Sequence, residues 1–279
     1  MKTAVALGSF DGLHAGHRAV IEKTVGVYSV AVTFAVPPKC TAAGEGMLMT
    51  VADKNAALKN LGVNEICELD FEKVKNTGPD RFLKEINDKY SPALISCGFN
   101  YRFGKNAAGD TEYLARFCAK NGIEFYCVPP VSPDGEVISS SRIRALIKEG
   151  CVEQANRYLY KPFGFTADVI HGDRRGRTIN FPTANQMLPP ELLKPRFGVY
   201  ESSVTLGEKT YKAVTNIGIR PTFKADAPLA ETFIIDFDGS VYGKKLSLSL
   251  KRFLRAETKF SGLEELKAAI KNDVSEVTK

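Results

Sequence analysis

Gly8-Ser9-Phe10-Asp11-Gly12-Leu13-His14-Ala15-Gly16-His17 follows one short apolar run, residues 3–7, and precedes apolar residues at helical spacing, Ala19, Val20, Ile21 and Val25. A continuous apolar run closed by a glycine reads as a buried strand, and the spacing after it predicts a helix from 16 to about 26. A strand, a glycine-rich turn and a helix start aim free backbone N–H groups and the positive helix end at one point, which suits phosphate. His14 and His17 add donors where charge develops in a transition state. An H-x-x-H pair can also bind metal, but no third His or Cys lies nearby in sequence. A purely structural turn would account for the glycines and not for two of the chain's three histidines. Phosphate handling is the better reading.

Outward from this corner, the 279 residues suit two domains better than one. With 44% hydrophobic and 25% charged residues the composition is that of a soluble globular protein. No apolar run approaches membrane-spanning length and the chain enters its first strand without a signal peptide, so a cytoplasmic protein with no membrane partner is expected. Six cysteines without a C-x-x-C pair, mostly in apolar contexts, read as buried reduced thiols.

Strand and helix patterns alternate through the first half. Residues 28–34 form an apolar run ended by Pro37-Pro38, Thr50 with Asp53 opens a helix, and residues 66–69, 93–97 and 123–128 read as strands. Helices are expected from near Gly78-Pro79-Asp80 to Tyr90, marked by Phe82, Leu83 and Ile86, and over Asp110–Lys120. This alternation argues for a parallel sheet covered on both faces, with ligands beyond the carboxyl ends of its strands. Asn100 and Arg102 follow one of those strands and emerge at the same edge, either as a site wall or as an exposed loop. In Ile138-Ser139-Ser140-Ser141-Arg142-Ile143-Arg144 the serines are ordinary helix caps taken singly. Three serines with Arg142 and Arg144 combine cap, dipole and guanidinium donors, which makes a second phosphate clamp.

A short helix over 152–160 and Lys161-Pro162 close the first half; the domains are placed at 1–158 and 159–279. Strands are then expected over 163–170, 198–205, 211–218, 231–237 and 246–250, joined by tight turns, hence an antiparallel sheet closed as a small barrel, with a final helix capped by Ser261 and Glu264. Residues 1–155 hold 18 basic and 18 acidic side chains, so the net charge of +6 comes entirely from residues 156–279. Arg174, Arg175, Arg177 and the set Lys244, Lys245, Lys251, Arg252, Arg255 and Lys259 carry that excess. A phosphate-bearing small substrate plus a solvated basic face explains it better than a nucleic-acid groove.

The run from His171 to Asn185 reads H-G-D-R-R-G-R-T-I-N-F-P-T-A-N. Gly172 and Gly176 allow a loop whose backbone approaches phosphates closely. Thr183 and Asn185 place two neutral oxygens two residues apart, hard ligands suited to Mg²⁺ shared with nucleotide phosphates; a simple turn at Pro182-Thr183 is the alternative.

The motifs also carry a family resemblance. G-S-F-D-G-L-H-A-G-H resembles the first signature of the nucleotidyltransferase superfamily in its FAD synthetase form, and I-S-S-S-R-I-R resembles the second; the K-M-S-K-S loop of aminoacyl-tRNA synthetases is absent. G-R-T-I-N-F-P-T-A-N, G-V-Y at 198–200, N-I-G-I-R-P-T-F at 216–223 and E-T-F-I-I-D-F at 231–237 resemble the riboflavin kinase domain. Nearly the whole chain is therefore similar to the bacterial bifunctional riboflavin kinase/FAD synthetase family. The resemblance implies an α/β plus β protein, with an N-terminal Rossmann-like nucleotidyltransferase domain and a C-terminal antiparallel β-barrel riboflavin kinase domain.

It further implies that ATP phosphorylates riboflavin to FMN with release of ADP, and that a second ATP adenylylates FMN to FAD with release of pyrophosphate. In the kinase, Thr183 and Asn185 would hold Mg²⁺, Gly172, Arg175, Gly176 and Arg177 would hold phosphates, and Glu231 would accept the hydroxyl proton. In the synthetase, His14 and His17 would stabilise phosphates, with Gly8, Phe10, Asp11, Gly16, Asn100, Ser139, Ser140, Arg142 and Arg144 as further contacts. Two departures stand out. Phe34-Ala35-Val36-Pro37-Pro38 lacks the histidine of the family's F-x-P-H-P, and Ser141 replaces a threonine. The missing histidine motivates a rival, a monofunctional riboflavin kinase with an inactive first domain; the basic second half motivates another, a flavin-sensing RNA-binding protein.

Overall fold

The computed structural model describes residues 2–42, 44–170, 181–219 and 228–279. Gly172, Arg175, Gly176 and Arg177 lie outside the described residues. The chain forms two compact units, Met1–Ser140 and Ser141–Lys279. Among the described residues no helix is long and apolar enough to cross a membrane.

The first unit is a five-stranded parallel sheet in the order β3-β2-β1-β4-β5, built from β1 (Thr3–Leu7), β2 (Tyr28–Phe34), β3 (Glu65–Leu69), β4 (Leu94–Gly98) and β5 (Glu124–Val128). Val5, Leu7, Val30, Val32, Ile95 and Cys97 are buried at its centre, as strands covered on both faces require. Helices α1 (Ala15–Glu22), α2 (Pro38–Ala42), α3 (Val51–Asn60), α4 (Phe71–Val74), α5 (Pro79–Tyr90) and α6 (Thr111–Asn121) connect the strands. The amphipathic α5 buries Phe82, Leu83 and Ile86. The strand order reverses between β1 and β4, where Leu7 pairs with Cys97, so the turns after Leu7 and after Gly98 leave the sheet side by side. That reversal makes the crevice in which open α/β sheets bind ligands.

In the second unit, α7 (Ser140–Glu149) and α8 (Val152–Tyr158) precede six antiparallel strands. These are β6 (Gly164–Asp168), β7 (Thr183–Met187), β8 (Gly198–Leu206), β9 (Lys209–Gly218), β10 (Leu229–Ile234) and β11 (Lys245–Arg255), in the order β6-β11-β8-β9-β10-β7. A bridge between Ile170 and Asn185 brings the two edges together, so the sheet nearly closes as a barrel. The fully buried Gln186 on β7 reinforces the closure by donating through Nε2 to Ala167 O (2.8 Å) and Leu246 O (2.9 Å). A chain of buried hydroxyls, Ser202, Thr215 and Thr232, links β8, β9 and β10 at 2.7 and 2.9 Å. The C-terminal helix α9 (Leu263–Thr278) packs Val274 and Val277 against Val199, Val214 and Phe233.

Both expected architectures are present, with local corrections. Pro37-Pro38 ends β2 but also opens α2, since proline is favourable in a first helical turn where its missing N–H goes unneeded. Residues 183–187, which are not among the expected strands, form strand β7. Ser261 bonds to Glu265 Oε2 through its amide (2.8 Å) and hydroxyl (2.7 Å), one residue beyond the expected Glu264. All six cysteines are free thiols, yet Cys127 and Cys151 are exposed and Cys67 half-buried rather than all in the core. In the basic second half, Arg252 pairs with Glu201 (3.0 Å) and Glu276 (2.8 Å), and Arg255 binds Asp273 through two nitrogens at 3.0 and 2.8 Å. Two of the cations that motivated an RNA groove are thus committed to carboxylates.

Candidate active sites

The turn after β1 is shaped by its own side chains. Phe10 and Leu13 are fully buried with positive φ (51° and 43°), and Gly12 shares the left-handed region at φ 78°. Gly8 is glycine for a steric reason: a Cβ there would lie 2.8 Å from the Phe10 ring. The Phe10 ring therefore packs against the bare backbone of Gly8, T-shaped to the His17 ring at 5.6 Å. Asp11 is buried too, and its Oδ1 accepts from the Leu48 amide at 2.9 Å. The Asp11 carbonyl accepts from Ser140 Oγ at 3.1 Å, so this serine is tied directly to the first turn.

His14 caps α1, its Nδ1 accepting from the His17 amide at 3.4 Å, and the two imidazoles stack at 3.7 Å. Burial, aided by the nearby Arg18 charge, pulls the His14 pKa down to about 4. His14 is therefore neutral at pH 7, and because Nδ1 accepts, the proton sits on Nε2. It can donate one neutral hydrogen bond to an anion from the helix N-terminus, with no cost of holding a buried cation. Stacked rings do not converge on a common point as metal ligands would, and among the described residues no group of three or more His, Cys, Asp or Glu is placed to hold a metal ion.

The other predicted contacts of this site differ in placement. Gly16 stands in the first turn of α1, and a Cβ on it would touch the His14 ring at 3.3 Å. Asn100 is exposed just past β4, its Oδ1 folded back over Gly98. Arg102 pairs with Asp110 at 3.3 Å. Ser139 is half-buried immediately before α7. Arg142 lies over the Tyr158 ring at 5.2 Å, and Arg144 is 4% exposed. Where the family histidine is missing, a residue that sequence reasoning passed over does structural work. Lys54 of α3 is completely buried and donates through Nζ to Phe34 O and to Ala35 O (3.0 Å for the second). Burial lowers its pKa, while the Asp11 and Glu68 carboxylates act the other way and favour its charge. Its signal in sequence was only its place four residues after the Thr50 cap.

In the second unit the ladder registers build a row. Asn185 of β7 stands opposite Glu231 of β10, and Glu231 opposite Asn216 of β9. Directly opposed residues of antiparallel strands share a face, with Cβ atoms about 5 Å apart. Thr183, two residues from Asn185, lies on that face as well. It is the face away from the Thr215–Thr232 hydroxyl chain. The Asn185 side chain is 8% exposed, and its Oδ1 has no hydrogen-bond partner among the described residues. A buried acceptor left in that state costs about 1–3 kcal/mol, so it calls for a ligand. A neutral amide oxygen, a hydroxyl and a neighbouring carboxylate are the donor set of a hard divalent cation that also holds phosphate. Asn216 was not among the predicted site residues, although the N-I-G run containing it was noted.

Comparison with known proteins agrees with both halves. A family model described as FAD synthetase matches residues 1–142, and one described as riboflavin kinase matches 159–279. A Listeria monocytogenes protein named bifunctional riboflavin kinase/FMN adenylyltransferase is 34% identical over 96% of this chain and 89% of its own. Its namesake in Bacillus subtilis is 31% identical over 99% and 91%. A crystal structure described as a macrolide-efflux protein from Streptococcus pneumoniae superposes with a TM-score of 0.90 at 29% identity, covering 100% of this chain and 94% of that one. The efflux description belongs to that protein; the likeness carries over the fold.

Proposed function

The chain belongs to the bifunctional riboflavin kinase/FMN adenylyltransferase family, and from that premise we propose how its residues divide two ATP-dependent reactions. Residues 159–279 phosphorylate riboflavin to FMN, and residues 1–158 adenylylate FMN to FAD. The observation that carries the kinase assignment is the row Asn185–Glu231–Asn216, in which the Asn185 amide oxygen has no partner among the described residues and shares a sheet face with Glu231.

In the kinase, Thr183 and Asn185 would hold Mg²⁺, which when bound would supply the neutralisation of phosphate charge that two uncharged ligands cannot. Glu231 accepts the proton of the riboflavin 5′-hydroxyl as that oxygen bonds to the γ-phosphorus and ADP leaves. Gly172, Arg175, Gly176 and Arg177 hold phosphates.

In the adenylyltransferase, an FMN phosphate oxygen attacks the α-phosphorus of ATP and pyrophosphate departs. No protein nucleophile takes part. His14 Nε2–H, His17, the backbone of the Gly8–Gly16 turn and the α1 N-terminus stabilise the charge that moves onto the leaving phosphates. Asn100, Ser139, Ser140, Arg142 and Arg144 are further nucleotide contacts. The turn lies where the strand order reverses between β1 and β4, and this supports the reading despite the absent histidine. Free cysteines and an ATP donor support a cytoplasmic setting.

The test is incubation with riboflavin and ATP, with and without Mg²⁺, followed by chromatographic separation of the flavins. FMN and FAD together support the whole reading. FMN alone would leave the first domain inactive, and full FMN formation in excess chelator would remove the metal from the kinase.

A further inference from the structure

Gly218 closes the N-I-G run at the end of β9, in ordinary strand conformation and opposite Leu229. Conformation therefore does not demand glycine there. With the Glu257 carboxylate seated where it is, space does: a Cβ on Gly218 would lie 2.7 Å from Glu257 Cδ and nearer still to Oε1. The same Oε1 accepts from Asn216 Nδ2 at 3.3 Å. Glu257 follows β11, 41 residues along the chain from Asn216, and its carboxylate seats over the bare backbone of one N-I-G residue while holding the side chain of another. Asn216 is in turn the direct ladder neighbour of Glu231.

We propose that Glu257 is a positioning residue of the kinase site: its carboxylate fixes the Asn216 amide beside Glu231, and Gly218 is glycine so that the carboxylate can reach it. The inference rests on the assignment of Glu231 to riboflavin phosphorylation. An asparagine side chain on a sheet face rotates freely about two bonds. Taking one of its amide hydrogens fixes the plane and thereby decides which polar atom it turns toward the reacting hydroxyl and its base. Misplacement of such a group by about 1 Å costs up to about 10²-fold in rate. The carboxylate acts as an acceptor here, so a neutral acceptor of equal length would serve.

Four variants test this: Glu257→Ala, Glu257→Gln, Gly218→Ala and the double variant Gly218→Ala/Glu257→Ala, each assayed for kcat and KM in FMN formation. Glu257→Ala and Gly218→Ala should each lower kcat by about 10–100-fold with the KM for ATP unchanged. Glu257→Gln should restore most of the rate. The double variant should be no slower than Glu257→Ala alone, because Gly218→Ala acts only by displacing a carboxylate that is no longer there. Conversion of supplied FMN to FAD should be the same in all four. Multiplying losses in the double variant, a Gln variant as slow as the Ala variant, or full activity of Glu257→Ala would each overturn the proposal. Full FMN formation by Glu231→Gln would instead sink the assignment of the base, and the two failures are thereby distinct.

Discussion

Asn185 on β7 and Glu231 on β10 face each other across an antiparallel ladder, the amide oxygen of the first buried and unsatisfied among the described residues, the carboxylate of the second beside it. A group that costs stability and is kept where a cation would repay it separates fold from function. Asn185→Leu should leave the melting temperature of the nucleotide-free protein unchanged or higher, because a buried acceptor without a partner costs about 1–3 kcal/mol. FMN formation by the same variant should fall by at least about 10²-fold. Thermal unfolding and a flavin assay on one preparation check both halves; a variant that fails to fold would make Asn185 a structural residue.

Much of this arrangement was legible in the chain. The apolar run over 3–7, the glycines and the following helical spacing gave the β1–α1 corner because each is a local pattern, and the antiparallel half declared itself through alternation such as Leu246, Leu248 and Leu250. Strand β7 was not legible as a strand: Thr183-Ala184-Asn185-Gln186 has little β-forming character, and its place comes from pairing with β10 over forty residues away. Lys54 carries no mark in the sequence that sets it apart from a solvated lysine; its amine is held by a pair of carbonyls at the end of β2. The neutrality of His14 comes from desolvation, which no motif encodes.

That neutrality has a pH signature. The unfolded chain protonates His14 near 6.5 and the folded one near 4, so between these values the unfolded state binds more protons. The His14 contribution to stability is therefore intact above pH 6.5 and declines as pH falls through that window, by a total on the order of 3 kcal/mol. His14→Asn keeps a side-chain oxygen for the α1 cap and removes the titration. Its urea midpoint should vary less between pH 6.5 and 4 than that of the parent. Equal pH slopes in the two proteins would mean that His14 titrates normally.

Lys54 offers a sharper stability test. Replacing it with Met preserves length and removes the donor to Phe34 O and Ala35 O while leaving the Asp11 carboxylate buried without its nearby cation. Removing one partner of such a buried set costs about 3–5 kcal/mol. Lys54→Met should therefore lower the unfolding midpoint of the first unit, and FAD formation from supplied FMN should drop with it. Phosphorylation of riboflavin, assigned to the other unit, should persist. Restoration of FAD formation by Lys54→Arg would show that a cation of the right reach suffices; loss of both activities in Lys54→Met would contradict the division.

Glu231 and His17 test the two-site reading as a whole, since they sit in different compact units, one on β10 and one in α1. Glu231→Gln keeps shape and hydrogen bonding but removes the base, so riboflavin phosphorylation should slow by about 10²–10⁴-fold. Adenylylation of supplied FMN in that variant should run at the parent rate. His17→Ala should do the reverse: it removes a ring stacked on His14 and the donor assigned to the phosphates in the proposal, and losing one such donor costs about 10²–10³-fold. Feeding riboflavin to His17→Ala should then accumulate FMN, and feeding it to Glu231→Gln should yield little of either product, while mixing the two variants should restore FAD if FMN made by one reaches the other. If the mixture makes no FAD while each variant retains its own half-reaction, FMN is not exchanged between molecules. If His17→Ala abolishes both reactions in a folded protein, the two sites are not independent; if it abolishes neither, the turn between β1 and α1 is structural and the adenylyl transfer lies elsewhere.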